Sequence, residues 1–533
     1  MFTSYEFIFF LVGLLFVYYL VPKKVQWILL LFVNFLFYFS AGKIYPLFIV
    51  ITATTVYFTG MFISKLEEKK TSFCSKNGLQ PKDAGYKEEK KQYKRKIDSK
   101  RKRVLVLCLF LNLGILAVVK YTNFAIDNVN VVLDWFGKDG VSYVDMIVPM
   151  GISFYTFQAV GYLLDVYWNK AKPQKDYFRF LLFVSFFPQL IQGPISRYND
   201  LSKTLYQEHK FDWKQVRFGL ERIMWGYFKK LVVADRIGIA VAALMEDPEY
   251  YTGAFVFVGM IFYAIQLYSD FTGGIDITIG IAQCLGIRLE ENFIRPFFSK
   301  NISEYWRRWH ISMGTWFRDY IFYPCCISKP VKSLTNFSKK HFGLGVAKRV
   351  PIYVSSILVW LATGIWHGAA WNYVVWGLTN GVVILISQEL EPLYKKFHQK
   401  FPKLVASSGY KAFQVGRTFL LMCCIRIFDN YGSVKVSVMQ FIHMFTEFNL
   451  SAVTKSEFIG LGLTLFDYFV VMAAVLVMFC VSLAGRNGSV REKIAKQNYF
   501  VRFALFMLLF FAILLLGRYG VGYDSAQFIY NQF

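Results

Sequence analysis

Residues 352–386 read IYVSSILVWLATGIWHGAAWNYVVWGLTNGVVILI, a stretch without Lys, Arg, Asp or Glu that has one histidine near its middle. That histidine, His367, lies between Gly364 and Gly368. An ionisable side chain at membrane depth is costly, so it is by default a candidate functional residue. Because non-helical backbone is tolerated there only where protein buries it or it lines a wet cavity, we predict a broken membrane helix with His367 at the break. A histidine that merely hydrogen-bonds a neighbouring carbonyl would fit the same pattern.

The composition places the whole chain among polytopic membrane proteins. Of its 533 residues, 55% are hydrophobic and 19% are aromatic, and the mean hydropathy is +0.38. Apolar runs recur along the whole sequence, and several of them are shorter than the ~20 residues of a full span. We predict an all-α polytopic membrane protein with about 10–12 transmembrane helices, counted by that length. The eight cysteines have no metal-ligand spacing with each other or with histidine, so we expect no metal site.

The net charge of +25 belongs to the segments between apolar runs, and this excludes a nucleic-acid-binding surface as its explanation. Residues Lys65–Arg103 hold 15 Lys and Arg against 6 Asp and Glu, which predicts a basic cytoplasmic loop, polar and flexible from Gly78 to Arg103. Two further basic segments, Lys395–Lys411 and Arg486–Arg502, are predicted to lie on the same side. Counting spans outward from these segments predicts that both the N- and the C-terminus are extracytoplasmic.

A second tract, residues 301–320, reads NISEYWRRWHISMGTWFRDY. Asn301 followed by Glu304 resembles a capping box and predicts the start of a helix. At 100° per residue one face of a continuous helix holds Trp306, Trp309, His310, Met313, Phe317 and Tyr320. A Trp-rich basic helix of this kind is usually interfacial, and that role needs no histidine. His310 nevertheless lies in the centre of the aromatic face, so we predict that it points into the protein as a second site residue.

These tracts resemble, in their order, the membrane-bound O-acyltransferase family, and specifically its bacterial alginate and cell-wall polysaccharide O-acetyltransferase-like branch. The matching segments are FPQLIQGPISR at 187–197, YSDFTG at 268–273, ENF at 291–293, WRRWH at 306–310, WFRDY at 316–320 and GIWHG at 364–368. The resemblance is densest between residues 148 and 388, which it implies is the catalytic core of a single integral membrane domain spanning 1–533. It also implies a ring of tilted helices with short broken or re-entrant helices around a central tunnel.

The function that the resemblance implies is acyl transfer across the membrane, from a cytoplasmic thioester to a carbohydrate outside. The invariant histidine of the family corresponds to His367 and its second histidine to His310. A neutral imidazole near its ordinary pKa can accept a hydroxyl proton and return it to a leaving thiolate, so this chemistry suits the residue type. Candidate tunnel-lining residues, each of which would serve equally well in packing, are Tyr155, Gln158, Gln189, Gln192, Arg197, Asp270, Trp306, Trp309, Trp366 and Asn372.

The tail 518–533 ends in FIYNQF and is predicted to be extracytoplasmic. It resembles the aromatic-Tyr-aromatic ends of some extracytoplasmic acylation systems, which makes Tyr530 a candidate acyl relay. The alternative is an aromatic anchor at the membrane interface. We expect no bound cofactor, acetyl-CoA as the donor substrate, and an extracytoplasmic SGNH-type acetyltransferase or esterase and a polysaccharide acceptor as partners in a bacterial plasma membrane.

Two other functions fit parts of the pattern. The first is transfer of D-alanine from a carrier protein to teichoic acid, because the basic cytoplasmic segments would suit an acidic carrier as well as a phosphorylated donor. The second is a polysaccharide exporter without chemistry, which should carry several intramembrane charges along a path or inverted repeats with paired broken helices. The single strong break with a histidine favours the enzyme.

Overall fold

A computed structural model describes residues 2–76, 84–520 and 523, and its described part is helical with no strand. The N-terminal helices are α1 (Tyr5–Leu20), α2 (Gln26–Ala41), α3 (Tyr45–Lys76), α4 (Ala84–Trp135), α5 (Ile152–Tyr167), α6 (Tyr177–Ser185), α7 (Phe187–Gln192), α8 (Tyr198–Leu205), α9 (Trp213–Tyr227), α10 (Asp235–Glu246), α11 (Ala254–Cys284) and α12 (Ile302–Arg308). Then come α13 (Ile311–Phe317), α14 (Tyr323–Cys326), α15 (Lys329–His367), α16 (Trp371–Glu389), α17 (Glu391–Lys400), α18 (Pro402–Ala406), α19 (Ser408–Ile425), α20 (Ile427–Asn430), α21 (Val434–Thr446), α22 (Lys455–Gly460), α23 (Leu465–Ala484), α24 (Val490–Ala495) and α25 (Tyr499–Leu516). The predicted all-α membrane fold is confirmed.

Among the described residues, seven helices are long and apolar enough to cross a membrane, namely α2, α3, α4, α11, α15, α23 and α25. The bent pair α16–α17, with an angle of 46°, makes an eighth if it is one span. Another membrane-length segment is divided between two α-helices. It runs from residue 213 to residue 246 and consists of α9, a π-helical segment (Phe228–Ala234) and α10. The total of ten to twelve spans stays a prediction, because such divided segments do not reach spanning length within one helix.

The basic stretch Lys65–Arg103 is helical where the structure describes it, so the flexible loop predicted for Gly78–Arg103 is wrong for residues 84–103, and the cytoplasmic placement stays a prediction. Its described parts, 65–76 and 84–103, are helical extensions of α3 and α4. They are held together by ion pairs of Glu67 with Arg101 at 2.5 Å and of Lys70 with Asp98 at 2.8 Å. Phe73 stacks on Tyr93 with ring centroids 4.1 Å apart. The prediction failed because Lys- and Glu-rich sequence is polar enough for a loop yet has good helix propensity.

The centre of the bundle is α11, the most buried of the spanning helices, with α9 packed directly on it. Glycines on both helices allow this approach. A Cβ built at Gly273 would lie 2.9 Å from the Gly226 oxygen, and one at Gly280 would lie 2.7 Å from the Gly219 oxygen. Small residues at a helix crossing bring backbones close enough for van der Waals packing to hold them in a membrane.

Several contacts bring helix ends together at one end of the bundle. The Tyr19 hydroxyl donates to the Cys284 carbonyl at 2.6 Å, which joins the ends of α1 and α11. Arg491 Nη1 donates to Gln283 Oε1 at 2.9 Å and so brings α24 to the same place. We call the end marked by Tyr19, Cys284 and Arg491 the basic end, because the segment 486–502 lies there.

Candidate active site

His310 lies at a sharp break between α12 and α13, and this corrects the prediction of one continuous helix over residues 301–320. The predicted start of that helix is confirmed, since the Asn301 side chain accepts a hydrogen bond from Glu304 N at 2.8 Å. After Arg308 the helix stops, and His310 adopts a left-handed backbone with φ of 46°. A non-glycine residue in that region costs about 1–2 kcal/mol. The expectation that His310 points inward is confirmed, because its relative exposure is 0%.

The break is stabilised by a segment that precedes it in sequence. Ile311 N donates to the Asn292 carbonyl at 3.0 Å, and Ile294 N donates to the Arg308 carbonyl at 3.0 Å. Asn292 is itself fully buried, and its side-chain Oδ1 accepts from Ser312 N at 2.9 Å. These bonds satisfy backbone groups that the interrupted helix exposes, and they offset the strain at His310.

Asn292 also sets the orientation of the His310 ring. Its Nδ2 lies 3.2 Å from His310 Nδ1, while its Oδ1 faces the Ser312 amide. Asn292 Oδ1 lies 3.4 Å from the same ring nitrogen and already accepts from Ser312 N, so we assign the nearer Nδ2 as the donor and Nδ1 as the acceptor. The neutral imidazole then carries its proton on Nε2. The edge of Phe271 packs against the ring with centroids 4.9 Å apart.

His367 lies at the end of α15, where the sequence predicted a break, and this prediction is confirmed. Gly368 is extended, with φ of −167°, and α16 begins three residues later at Trp371. The carbonyls left open at the helix end accept from α4: Lys120 Nζ donates to the Trp366 oxygen at 2.7 Å, and the Tyr121 hydroxyl donates to the Ile365 oxygen at 2.8 Å. Capping of this kind fixes the turn that carries His367.

Two glycine contacts bring α15 and α16 together just below this turn. A Cβ at Gly364 would lie 2.5 Å from the Tyr373 oxygen, and one at Gly377 would lie 2.4 Å from the Trp360 oxygen. Neither position has room for a side chain, because both obstacles are backbone atoms. His367 is therefore held at the tip of a tight helical hairpin.

The two histidines are packed against one shared tryptophan, Trp366. The Trp366 ring lies 5.9 Å from the His310 ring and 5.1 Å from the His367 ring. On its other side His367 meets Trp376, with centroids 4.5 Å apart. The structure thus brings both predicted histidines into one site lined by aromatic rings.

Trp306 and Trp309 extend this aromatic wall toward the start of α12. Trp306 Nε1 donates to Asn380 Oδ1 at 3.2 Å, and its ring lies 5.8 Å from that of Trp376. The Trp309 ring lies under the Arg426 guanidinium, whose carbon is 4.5 Å from the ring centroid.

Arg426 is a site-adjacent residue that the sequence interpretation missed. It is 4% exposed, pairs with Asp429 at 3.1 Å, and donates to the Tyr305 hydroxyl at 3.0 Å. The sequence did contain an indication of its importance, because an arginine near the end of the apolar run 413–427 is an intramembrane charge and hence a candidate functional residue. Lys120, at the end of the apolar run 104–119, was missed in the same way.

Five of the proposed tunnel residues make hydrogen bonds or ion pairs within the protein, although Asn372 Oδ1 and Gln189 Oε1 have no hydrogen-bond partner among the described residues. Asn372 Nδ2 donates to the Phe428 carbonyl at 3.1 Å, and Gln158 Nε2 donates to the Phe183 carbonyl at 2.7 Å. The other two are charged: Arg197 pairs with Asp319 at 2.8 Å, and Asp270 pairs with Lys230 at 2.5 Å. Gln189 joins this group by donating to Gln158 Oε1 at 2.8 Å.

Tyr155 and Gln192 differ from those residues. Both are 0% exposed, and neither the Tyr155 hydroxyl nor the Gln192 side-chain amide has a hydrogen-bond partner among the described residues. Buried polar groups normally have a partner, so these two remain the better candidates for contact with a tunnel. Tyr530 lies outside the described residues.

A polar cavity of about 510 Å³ opens beside the start of α12, and we call it the basic cavity. Its lining residues are Lys300, Asn301, Ser303, Arg307, Ser387, Gln388, Glu391, Tyr394, Lys395, His398, Tyr410, Gln414 and Arg417. α12 leads from this cavity to the break at His310, and α16 leads from it back to the hairpin at His367. Within the described residues no cluster of His, Cys, Asp or Glu could hold a metal ion.

The comparisons with known proteins agree with the motifs. The model of the membrane-bound O-acyltransferase family matches residues 174–338. A probable alginate O-acetylase of Azotobacter vinelandii is 34% identical over 291 residues, which cover 54% of this chain and 54% of that protein. A peptidoglycan O-acetyltransferase of Helicobacter pylori is 30% identical over 328 residues, 57% of this chain and 58% of that protein.

A teichoic acid D-alanyltransferase of Bacillus subtilis is 28% identical over 286 residues, which cover 52% of this chain and 68% of that protein. The chain thus spans just over half the length of the two O-acetylating relatives that it matches. The matched region contains His310 and the Asn292 segment that holds it. The similarity to the membrane-bound O-acyltransferase family is therefore shown for residues 174–338.

Proposed function

We propose that the protein is a membrane-bound O-acetyltransferase of a bacterial plasma membrane. It transfers an acetyl group from acetyl-CoA on the cytoplasmic side, by way of the two-histidine site, for O-acetylation of a polysaccharide outside. The observation that carries this proposal is the placement of His310 and His367 at two separate helix breaks against the shared Trp366 ring. Two breaks that each present an imidazole to one aromatic site are costly, and packing alone would not require them.

The proposed chemistry gives the two histidines different roles. The hydroxyl oxygen of the acceptor attacks the thioester carbonyl carbon while His367 accepts the hydroxyl proton. The C–S bond then breaks, and His367 returns the proton to the departing thiolate, which leaves as the free thiol. His310, with its proton on Nε2, donates to the oxyanion of the tetrahedral intermediate. Water exclusion by the tryptophans strengthens that hydrogen bond, because the local dielectric is low.

The basic cavity is the proposed entrance for the donor. Lys300, Arg307, Lys395 and Arg417 line it with a single opposing carboxylate, Glu391. Arginine and lysine bind phosphate oxygens by charge-assisted hydrogen bonds, so the phosphates of acetyl-CoA suit this lining. An acidic carrier protein would also suit this lining, so D-alanyl transfer to teichoic acid stays the second candidate function. The similarity to the D-alanyltransferase of Bacillus subtilis supports this candidate.

On the other side of the membrane, we propose that Tyr530 of the tail 518–533 is the first acceptor. Its acetyl ester would then be passed to an SGNH-type acetyltransferase or esterase and on to the polysaccharide. Both chain termini are extracytoplasmic in this proposal. It places the basic end of the bundle at the cytoplasm, in agreement with the positive-inside rule.

The experiment that tests the catalytic role uses purified protein in proteoliposomes with radiolabelled acetyl-CoA. We expect wild-type protein to consume the thioester in the presence of acceptor, and His367→Ala to lose at least 100-fold in turnover, the order that general-base catalysis contributes. Circular dichroism and membrane yield check that the variant is folded. Near-normal turnover by His367→Ala would remove the catalytic assignment.

The same assay tests the donor. We expect Lys395→Gln with Arg417→Gln to raise the KM for acetyl-CoA, because two cavity cations are lost. Lys400→Gln, which neutralises a neighbouring exposed lysine outside the cavity, is the matched control. Activity with a D-alanyl carrier protein and none with acetyl-CoA would replace O-acetylation by D-alanylation.

A further inference from the structure

A second cavity, of about 650 Å³, opens on the flank of the bundle between α9, α23, α24 and α25, and we call it the lateral cavity. Its wall is hydrocarbon, formed by Val477, Val481, Leu505, Phe506, Leu508, Leu509 and Ala512. Its floor, near the basic end, carries the charged residues Glu221, Arg222, Asp276, Glu291 and Arg491. It shares no lining residue with the basic cavity, so it is separate from the proposed donor entrance.

Part of the charged floor is already neutralised within the protein. Arg222 donates to Asp276 at 2.8 Å and forms a bidentate pair with Glu291 at 2.7 and 2.6 Å. Lys229 binds the other oxygen of Asp276 at 2.6 Å. These four residues form a closed network that needs no ligand.

Glu221 is different. It is 7% exposed and its Oε1 lies 3.3 Å from Arg217 Nε, but its buried Oε2 has no hydrogen-bond partner among the described residues. Burying a carboxylate oxygen without a donor is expensive. A cationic N–H donor bound in the lateral cavity would remove that cost.

Arg491 supplies the opposite charge on the same floor. Its Nη1 donates to the Phe218 carbonyl at 2.7 Å and to Gln283 Oε1 at 2.9 Å, which fixes the guanidinium in place. A guanidinium has five N–H donors, so a fixed arginine that lines a cavity can still bind a phosphate through the others. The floor therefore offers one site for an ammonium and one for a phosphate.

The position of α25 explains how hydrocarbon chains would enter. None of its spanning residues is buried in the protein, although Leu505, Leu508 and Leu509 line the cavity. α25 thus stands at the periphery, with the cavity between it and the core. The volume lies within the range of small-molecule sites, about 300–1,000 Å³.

We propose that the lateral cavity binds one aminophospholipid of the phosphatidylethanolamine type. Its ammonium donates to Glu221 Oε2, its phosphate accepts from Arg491, and an acyl chain lies between α23 and α25. Phosphatidylglycerol has the phosphate but no ammonium. Phosphatidylcholine has a quaternary ammonium that cannot donate a hydrogen bond. The headgroup chemistry therefore selects the primary amine.

The test measures bound lipid rather than acyl transfer, so its failure is distinguishable from failure of the proposed function. Delipidated full-length protein is reconstituted with equal amounts of phosphatidylethanolamine, phosphatidylglycerol and phosphatidylcholine, re-extracted in mild detergent, and analysed by mass spectrometry. We expect retained phosphatidylethanolamine to exceed the other two lipids. Glu221→Gln should reduce that selectivity roughly tenfold, the order of a hydrogen bond to a charged group.

Two matched controls separate the site from the lipid that surrounds any membrane protein. Glu246→Gln makes the same chemical change at an exposed position and should keep full selectivity. Val481→Trp fills the wall of the cavity and should lower retention of all three lipids, whereas Leu476→Trp, on the exposed face of α23, should not. Equal retention of the three lipids by wild-type protein, unchanged selectivity in Glu221→Gln, or full retention in Val481→Trp would each overturn the proposal.

Discussion

Removing the ammonium group of Lys120 should impair the site without touching either histidine. Lys120 belongs to α4, and its Nζ donates to the Trp366 carbonyl at 2.7 Å. That carbonyl is left open because α15 ends one residue later, at His367. Lys120→Met keeps most of the aliphatic stem but deletes the donor, so the turn that carries His367 loses one of its two bonds to α4.

The size of the effect follows from the type of bond. A hydrogen bond to a charged group contributes about 1.5–3 kcal/mol, and each 1.4 kcal/mol is a factor of about ten in an equilibrium constant. If the bond holds the turn in its productive arrangement, its loss lowers the productive population about 10- to 100-fold. We expect kcat to fall by that factor. The KM for acetyl-CoA should not change, because Lys120 does not line the basic cavity.

The assay is steady-state turnover in proteoliposomes with protein levels matched. Lys120→Arg retains a cationic donor and should recover most of the activity. Lys138→Met, an exposed lysine just beyond the end of α4, is the control for the change from Lys to Met. Wild-type kcat in Lys120→Met would refute the reasoning, and so would an equal loss in Lys120→Arg and Lys120→Met, since a donor would then not be what matters.

Two further predictions concern His310 and the C-terminal tail. His310→Ala should reduce kcat more severely than Arg307→Ala, because it removes the proposed oxyanion donor. The loss of one such donor typically lowers kcat about 100- to 1,000-fold. Arg307→Ala should mainly raise KM, and equal kinetic effects of the two changes would return His310 to a packing role. Tyr530→Phe should preserve binding of acetyl-CoA yet stop acetate reaching the polymer, since it deletes only the hydroxyl of an aromatic anchor. Polymer-bound acetate in cells measures this, and full acetylation by Tyr530→Phe would mean direct transfer from the tunnel to the acceptor.

The break at His367 could be predicted from the sequence because its cause is local. Gly364 and Gly368 flank the histidine, and the structure ends α15 there and packs α16 against Gly364. The break at His310 could not be predicted in this way. The residues on either side of His310 keep helical periodicity, and the groups that hold the break come from Asn292 and Ile294, in an earlier part of the chain.

The same distinction explains the partners of the site. Trp306 and Trp309 could be assigned to an inward aromatic face from their spacing, and both lie there. Their polar partners, Asn380 and Arg426, come from helices much later in the sequence. Spacing within one segment indicates which face is buried, whereas the identity of the facing residue depends on helix packing that a single sequence does not specify.

The buried charges bear on the choice between an enzyme and a polysaccharide exporter. The structure contains more of them than the sequence interpretation counted, including Lys229, Lys230 and Arg426, and an exporter was expected to carry several. Each of these is engaged by a carboxylate: Lys229 by Asp276 at 2.6 Å, Lys230 by Asp270 at 2.5 Å, and Arg426 by Asp429 at 3.1 Å. A buried ion pair that is already satisfied fixes the helices that carry it, and breaking it to serve a passing solute would cost several kcal/mol, about 3–5. Such pairs are therefore unsuited to binding a solute that moves through the membrane, but they stabilise a rigid active site. The buried charges thus favour an enzyme over an exporter.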